Sequence, residues 1–228
     1  MSSKGRLYLV ATPIGNLGDI TLRALEILKD VAAVLCEDTR RAQKLFSKYS
    51  INTQRLSFHD FNKEKKTPAV LKKIEEGYNY ALISDAGTPG ISDPGFYLVR
   101  EALKLAIEVV PIPGPSAFLA ALVASGLATD RFTFEGFLPR KHGKRRERLI
   151  ALKENLDTII FYESPHRIEK LLKEILEIIG DRDICLAREL TKLHEEFLRC
   201  KVSELLIKVE KAEVQLKGEL ILLLHGNK

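Results

Sequence analysis

The period of the apolar positions changes repeatedly along the chain, and each change marks a switch between a short strand and an amphipathic helix. The run over 7–11 is short and almost wholly apolar, as a buried strand is. Helical spacing follows over 20–29, with Leu22, Leu25, Ile27 and Leu28 in phase. The same pattern predicts a buried strand over 31–36, a helix over 40–49, a strand over 56–59 and a charged helix over 68–76. Strand 80–84, helix 97–106, strand 108–112 and a small-residue helix over 117–125 complete this half. Repeated β-α units with apolar strands imply a mainly parallel sheet covered by helices on both faces.

A second half begins near Leu127. Segment 131–138 carries Phe132, Phe134 and then Phe137 between polar residues, and 158–162 is rich in β-formers. The clearest helical period runs over 168–179, with apolar residues at 168, 171, 172, 175, 176 and 179. Ser164 is suited to cap that helix and Pro165 to stand in its first turn. Strands are expected over 183–188 and 219–225, separated by an amphipathic stretch over 202–211. With 228 residues and neither internal repeat nor low-complexity linker, the chain fits two tightly joined α/β domains, 1–127 and 128–228.

Composition narrows the function. Apolar residues make up 45% and charged residues 29%, which is ordinary for a globular chain and excludes disorder or a disulfide scaffold. A net charge of +5, with a sequence pI of about 9.0, permits an anionic partner such as nucleic acid without requiring one. Cys36, Cys185 and Cys200 are odd in number and form no C-x-x-C pair, so they read as buried thiols in a reducing compartment. The histidines are scattered, and no metal site is expected. The start of the chain is polar and 7–10 is too short for a signal-peptide core. No apolar run approaches the roughly 18 residues of a membrane span, so a soluble cytoplasmic protein is expected.

Glycine and proline cluster where the chemistry is expected. In open α/β sheets, ligands sit beyond the carboxyl ends of strands. Three such ends carry Gly/Pro-rich turns: Ala11-Thr12-Pro13-Ile14-Gly15-Asn16, the stretch from Ser84 through Gly95, and Pro111-Ile112-Pro113-Gly114-Pro115-Ser116-Ala117. Glycine lets backbone approach a ligand closely, and proline holds the turn. Asp93-Pro94 and Pro115 are suited to start helices whose free N–H groups would face an anionic ligand group. Neither G-x-G-x-x-G nor G-x-x-x-x-G-K-[ST] occurs, which argues against a dinucleotide-binding Rossmann site and a P-loop.

With these turns, Glu37-Asp38-Thr39-Arg40, Phe137-Leu138-Pro139, Phe161-Tyr162-Glu163-Ser164-Pro165-His166-Arg167 and Ala187-Arg188-Glu189-Leu190-Thr191-Lys192 form an ordered motif series. The series resembles that of the ribosomal RNA small-subunit methyltransferase I family, of the tetrapyrrole methylase superfamily, from about residue 5 to about residue 226. The resemblance implies a two-domain tetrapyrrole methylase fold, with a mainly parallel first sheet and a mixed second one. It implies S-adenosylmethionine held in the cleft between the domains, and 2′-O-methylation of a cytidine in the decoding region of 16S rRNA. A homodimer acting on the assembled small subunit is implied as well.

By motif position, the resemblance puts Asp85, Gly87, Thr88, Ile91, Ser116 and Ala117 against the cofactor, with Thr12 and Pro13 closing the other side. Leu138, Tyr162 and Leu190 would meet the adenine. A ribose hydroxyl needs a base, and Glu37, Asp38, Glu163 and Glu189 each end an apolar strand. Glu163 and Glu189 stand out because basic residues follow them. Lys192 and Arg188 would assist the hydroxyl or hold a phosphate. The stretch Arg140-Lys141-His142-Gly143-Lys144-Arg145-Arg146-Glu147-Arg148 is strongly basic and suits RNA phosphates, with Arg140, Lys141, Lys144, Arg145 and Arg146 as the contacts. Arg40 and Arg41 form a smaller basic pair, and His59 and Asn62 follow a strand end on the expected substrate side. The target nucleotide would be splayed out, with stacking left to Phe, Tyr or Arg because the chain has no tryptophan. Two rival readings remain: a small-molecule tetrapyrrole methyltransferase of the same superfamily, and a non-catalytic ribosome assembly factor.

Overall fold

The apolar tetrads Ala33–Cys36 and Tyr80–Ile83 are buried at every position, and strands with no solvent-facing side must be covered on both faces. In the computed structural model, which describes residues 4–93 and 95–227, they are neighbours in a five-stranded sheet. Its strands are β1 (Arg6–Val10), β2 (Ala33–Cys36), β3 (Gln54–Ser57), β4 (Tyr80–Ile83) and β5 (Glu108–Ile112), in the order β3-β2-β4-β1-β5 and all parallel. Helices α1 (Leu22–Asp30) and α2 (Thr39–Lys48) cover one face, packing Leu28, Leu45 and Phe46 on Val10, Val34 and Ala81. Helices α3 (Lys63–Glu75) and α4 (Gly95–Lys104) cover the other with Ile74, Leu98 and Ala102, against Leu7, Leu35 and Leu82. Adjacent residues of one strand thus feed opposite layers.

The second unit begins at Ala117, ahead of the division expected near residue 128. The reason is α5 (Ala117–Ser125), which packs on strands of the second sheet. That sheet comprises β6 (Phe132–Phe137), β7 (Thr158–Glu163), β8 (Asp183–Arg188), β9 (Glu196–Lys201) and β10 (Leu220–Leu224), in the order β6-β7-β10-β8-β9. β6 and β7 are parallel and the other pairs antiparallel, so the sheet is mixed. Helices α6 (His142–Leu152), α7 (Ile168–Ile178) and α8 (Val202–Glu210) bury Leu149, Leu172 and Leu205 against Phe161, Leu186 and Leu222. Cys36 in β2 and Cys185 in β8 are enclosed thiols, pushed by burial up to about 12 and about 11 respectively.

Several local departures from the expected elements have identifiable causes. β9 escapes its polar composition because it is an edge strand, paired only with β8. α3 starts at Lys63 rather than at Pro68, since Asn62 turns the chain there by accepting from His59 N at 2.9 Å. α7 starts at Ile168 with Arg167 at its cap, and Ser164 instead takes Arg167 N on its carbonyl at 3.0 Å, so the expected side-chain cap is not made. The uneven spacing of Phe132, Phe134 and Phe137 is a bulge: the β6–β7 register shifts between Phe134 and Gly136, where Gly136 has φ +61°. The shift pairs Phe137 with Tyr162. Among the described residues no helix is long and apolar enough to cross a membrane.

Leu222 lies at the centre of the second sheet with no exposed surface. Leu222→Ala is expected to lower unfolding free energy by about 2–5 kcal/mol, read as a shift of the urea midpoint at unchanged slope.

Candidate active site

Because every strand of the first sheet runs the same way, the ends of β4, β1 and β5 stand side by side at one edge. These ends carry the three Gly/Pro turns. Thr12 N donates to Gly87 O and Gly87 N to Thr12 O, both at 2.9 Å, as an isolated antiparallel bridge. Thr12 Oγ1 donates to Ser84 O and Thr88 Oγ1 to Pro115 O, each at 3.2 Å. The turn after β4 is therefore tied to both of the others. Gly87 has φ +81°, a conformation that favours glycine. At Gly114 the constraint is space, since a Cβ would sit 3.0 Å from that of Ala11. Thr12 and Gly87 are buried, Pro13 and Ser116 half-buried, and Thr88 and Ile91 exposed. Helix α5 opens at Ala117 rather than Pro115, and α4 opens at Gly95. Pro94 lies outside the described residues.

Asp85 follows β4 and borders a cavity of about 200 Å³ lined also by Thr12, Pro13, Asp38, Arg41 and Ser84. Its Oδ1 accepts from Asp38 N at 3.0 Å and its Oδ2 pairs with Arg41 at 2.9 Å. Asp93 turns inward: Oδ1 accepts from Gly90 N at 2.8 Å and Gly95 N at 2.7 Å, and the Ser84 side chain also acts on the carboxylate. Burial pushes the Asp93 carboxyl up against the bonds from Gly95, Gly90 and Ser84. Glu37 is also raised, first by desolvation and then by Asp85, Asp93 and Asp60. The edge is electronegative. Asp38 is not a spare base, because it caps α2 and hydrogen bonds from the Arg40 side chain hold it down to about 2. His59 and Asn62 bond each other at 2.9 Å across a turn and so serve its shape.

In the second unit, β7 and β8 both run antiparallel to β10, so their carboxyl ends share an edge with Leu220 between Glu163 and Arg188. Glu163 retains 1% of its surface. Its Oε1 accepts from Ser164 N at 2.7 Å and faces Arg167 Nε at 3.2 Å, while Oε2 is buried with no hydrogen-bond partner among the described residues. Desolvation pushes this carboxyl up. At that depth it does not meet a ribose, which corrects the expectation that it takes the proton. Arg167 in turn donates from Nη2 to Leu138 O at 2.9 Å.

Arg145 is corrected likewise. It is 4% exposed and forks onto Glu174 at 2.5 and 2.7 Å, with Nη1 donating to Arg140 O at 3.1 Å and Pro139 O at 3.4 Å. It is thus an internal strut and not an RNA contact, because a guanidinium buried on a carboxylate has no free face. The carbonyls of Leu138, Pro139 and Arg140 hang from two arginines, each neutralised by a buried glutamate. Arg146 forks onto exposed Glu177 at 2.6 Å and Arg148 onto Glu135. Arg140, Lys141 and Lys144 remain exposed, and none has an ion-pair partner among the described residues.

Glu189 and Lys192 come together, Nζ to Oε1 at 2.8 Å, with side-chain exposures of 19% and 41%. They flank buried Leu190 in a turn whose Glu189 and Thr191 have φ +50° and +64°. Arg188 pairs with Glu196 at 2.6 Å. Tyr162 stacks edgewise on Phe134 at 5.1 Å and tilts on Phe137 at 5.5 Å, and burial pushes its hydroxyl up to about 12. Leu138 is buried beside the same strands. Glu174 had no mark in the sequence, since its partners at that depth of α7, Arg145 and at 3.4 Å His142, are distant along the chain.

The profile of the Tetrapyrrole (Corrin/Porphyrin) Methylases family matches residues 6–206. Over 228 residues the chain is 48% identical to Ribosomal RNA small subunit methyltransferase I of Escherichia coli O157:H7, spanning 100% of this chain and 80% of that protein. It is 49% identical over 223 residues to the protein of the same name from Thermotoga maritima, spanning 97% of this chain and 99% of that one. Among solved structures it resembles uroporphyrin-III C-methyl transferase from Thermus thermophilus complexed with S-adenyl homocysteine, with TM-score 0.68, 20% identity and 97% of each chain covered. Cobalt precorrin-4 methyltransferase gives a TM-score of 0.71 at 19% identity, covering 96% of this chain and 94% of that one.

Arg145→Ala leaves buried Glu174 facing the His142 ring at 3.4 Å without its guanidinium partner and is expected to lower stability by about 3 kcal/mol in urea unfolding. Burial raises the Glu174 carboxyl, but hydrogen bonds and charge from Arg145 outweigh it and hold the group below its ordinary 4.5. Its contribution is therefore present above about pH 4.5 and fades as pH falls through the lower folded value. Glu174→Gln is expected to flatten that part of the stability–pH curve, and an unchanged curve would contradict the pairing.

Proposed function

Since the chain belongs to the tetrapyrrole methylase family, and within it to the proteins named ribosomal RNA small subunit methyltransferase I, we propose that it methylates small-subunit ribosomal RNA with S-adenosylmethionine. Its acceptor is the ribose 2′-hydroxyl of a cytidine in the decoding region of 16S rRNA, reached by a homodimer on the assembled subunit. The identity over nearly the whole chain with two proteins of that name is the observation that carries this reading.

The first sheet's edge fits such a cofactor. Three mutually tied turns leave backbone close at hand, and the carboxylates of Glu37, Asp85 and Asp93 make the surroundings negative. That field suits a cation. When bound, S-adenosylmethionine supplies a methyl carbon attached to positively charged sulfur. Thr12, Pro13, Asp85, Gly87, Thr88, Ile91, Ser116 and Ala117 are the residues proposed to hold it, with Leu138, Tyr162 and Leu190 contributing the apolar side. Asp85 is poised for this, because Arg41 and Asp38 N fix both of its oxygens.

The ribose hydroxyl loses its proton as its oxygen gains the methyl group. Glu189 is proposed to accept that proton, since it stays accessible in a tight turn beside Lys192. Lys192 favours the oxyanion by charge. Glu163 and Arg167 fix the Leu138 carbonyl and are positioning residues. Arg140, Lys141 and Lys144 are the free cations of the basic segment, and Arg146 joins them by exchanging Glu177 for phosphate.

Labelled S-adenosylmethionine offered to unmodified small subunits is expected to transfer its methyl to one cytidine ribose, located by mass spectrometry of nuclease fragments. Methylation of a porphyrinoid, or binding without transfer, would replace this reading. Asp85→Ala is expected to weaken cofactor binding in calorimetry by tenfold or more, about 1.4 kcal/mol. Glu189→Gln should lower single-turnover methylation by about 10²-fold while leaving cofactor affinity in place.

A further inference from the structure

The edge of the first sheet opposite β5 carries a groove that none of the roles above uses. It has a volume of about 620 Å³ and is lined by Thr39, Arg40, Gln43, Asn52, Gln54 and Arg55. Its wall is α2 and its floor is β3, an edge strand paired only with β2. Apart from the two arginines the named side chains are neutral hydrogen-bonding groups, and none is a carboxylate.

Arg55 is the unusual member. It is half-buried, and its guanidinium lies 5.2 Å from the centre of the Phe46 ring, with Nη1 donating to Thr39 O at 3.4 Å. Among the described residues no carboxylate is a partner of Arg55. The half-buried arginines Arg146, Arg167 and Arg188 each face a glutamate, whereas Arg182 donates to Lys153 O and Asn227. A guanidinium set over an aromatic ring and partly desolvated presents its remaining N–H groups to an oxyanion. Arg40 lines the same groove from α2, largely exposed and, among the described residues, ion-paired with Asp38 alone.

We propose that this groove holds a backbone phosphate of the RNA substrate, with Arg55 as the central contact and Arg40 and Gln43 flanking it. The inference rests on the RNA reading above. The groove is open and polar, which suits a phosphodiester passing along it more than a small anion enclosed by it. Helix α2 connects it to the cofactor edge, because the next residue, Arg41, reaches Asp85. The RNA would thus run from the groove along α2 toward the reacting ribose.

The test is the salt dependence of binding to small subunits for the parent, Arg55→Gln and Gln43→Glu, with cofactor affinity and melting temperature measured alongside. Gln43 is exposed on α2, so its replacement places a carboxylate in the groove without touching the core. Both variants are expected to bind RNA about tenfold more weakly at moderate salt, with unchanged cofactor affinity. Losing one phosphate contact should reduce the slope of log K against log salt by about 0.7–1. Slopes equal to the parent's in both folded variants overturn the proposal. Tight binding of inorganic phosphate that depends on Arg55, with RNA binding unaltered, overturns it in favour of a free anion. If the parent itself does not bind RNA, the functional reading fails and the groove's role falls with it.

Discussion

A parallel sheet brings distant pieces of chain to one edge, and that constraint underlies what the first unit can do. β4, β1 and β5 are neighbours in space but far apart in sequence. Their turns meet only because the strands agree in direction, and the reciprocal Thr12–Gly87 bridge locks the meeting. With the backbone groups of two turns already paired to each other, the surface they present is rigid before any ligand arrives. Preorganisation of this kind lowers the ordering cost of binding. The carboxylates then act on a fixed frame: Asp93 closes its own turn, and Asp85 is held between a backbone N–H and Arg41.

The second unit reaches rigidity by another route. Its turn after β6 contains no paired backbone bridge and is suspended from charged side chains, with Arg167 on Glu163 and Arg145 on Glu174. Buried ion pairs contribute little net stability but are costly to break. They therefore fix a shape more than they strengthen a fold. The basic stretch that follows is divided by depth: Arg145 is internal, while Arg140, Lys141 and Lys144 face solvent.

Most of the fold could be read from the chain. Buried strands such as Ala33–Cys36 and Tyr80–Ile83 announce themselves by unbroken apolar character, and α7 by its period. The three turns were marked by glycine and proline, whose backbone limits are local. What escaped depends on partners remote in sequence. The depth of Arg145 is set by Glu174, and that of Glu163 by the layer covering β7. Charge density in the basic stretch says nothing about which cations are already neutralised. The small residues of α5 suit either sheet in the sequence, and its packing on β8, β9 and β10 is what groups it with the second unit. Arg55 lacked any mark, since the absence of a carboxylate near a side chain is a property of three dimensions alone.

The two enclosed thiols give each unit its own reporter. Cys36 lies in the first sheet and Cys185 in the second, both sealed and both nearly free of thiolate at neutral pH. An alkylating reagent reaches either sulfur only when the strand around it opens, whereas half-exposed Cys200 supplies a reference for the reagent itself. Without any added label, the order in which Cys36 and Cys185 become modified under mild denaturation ranks the two units by their resistance to local opening.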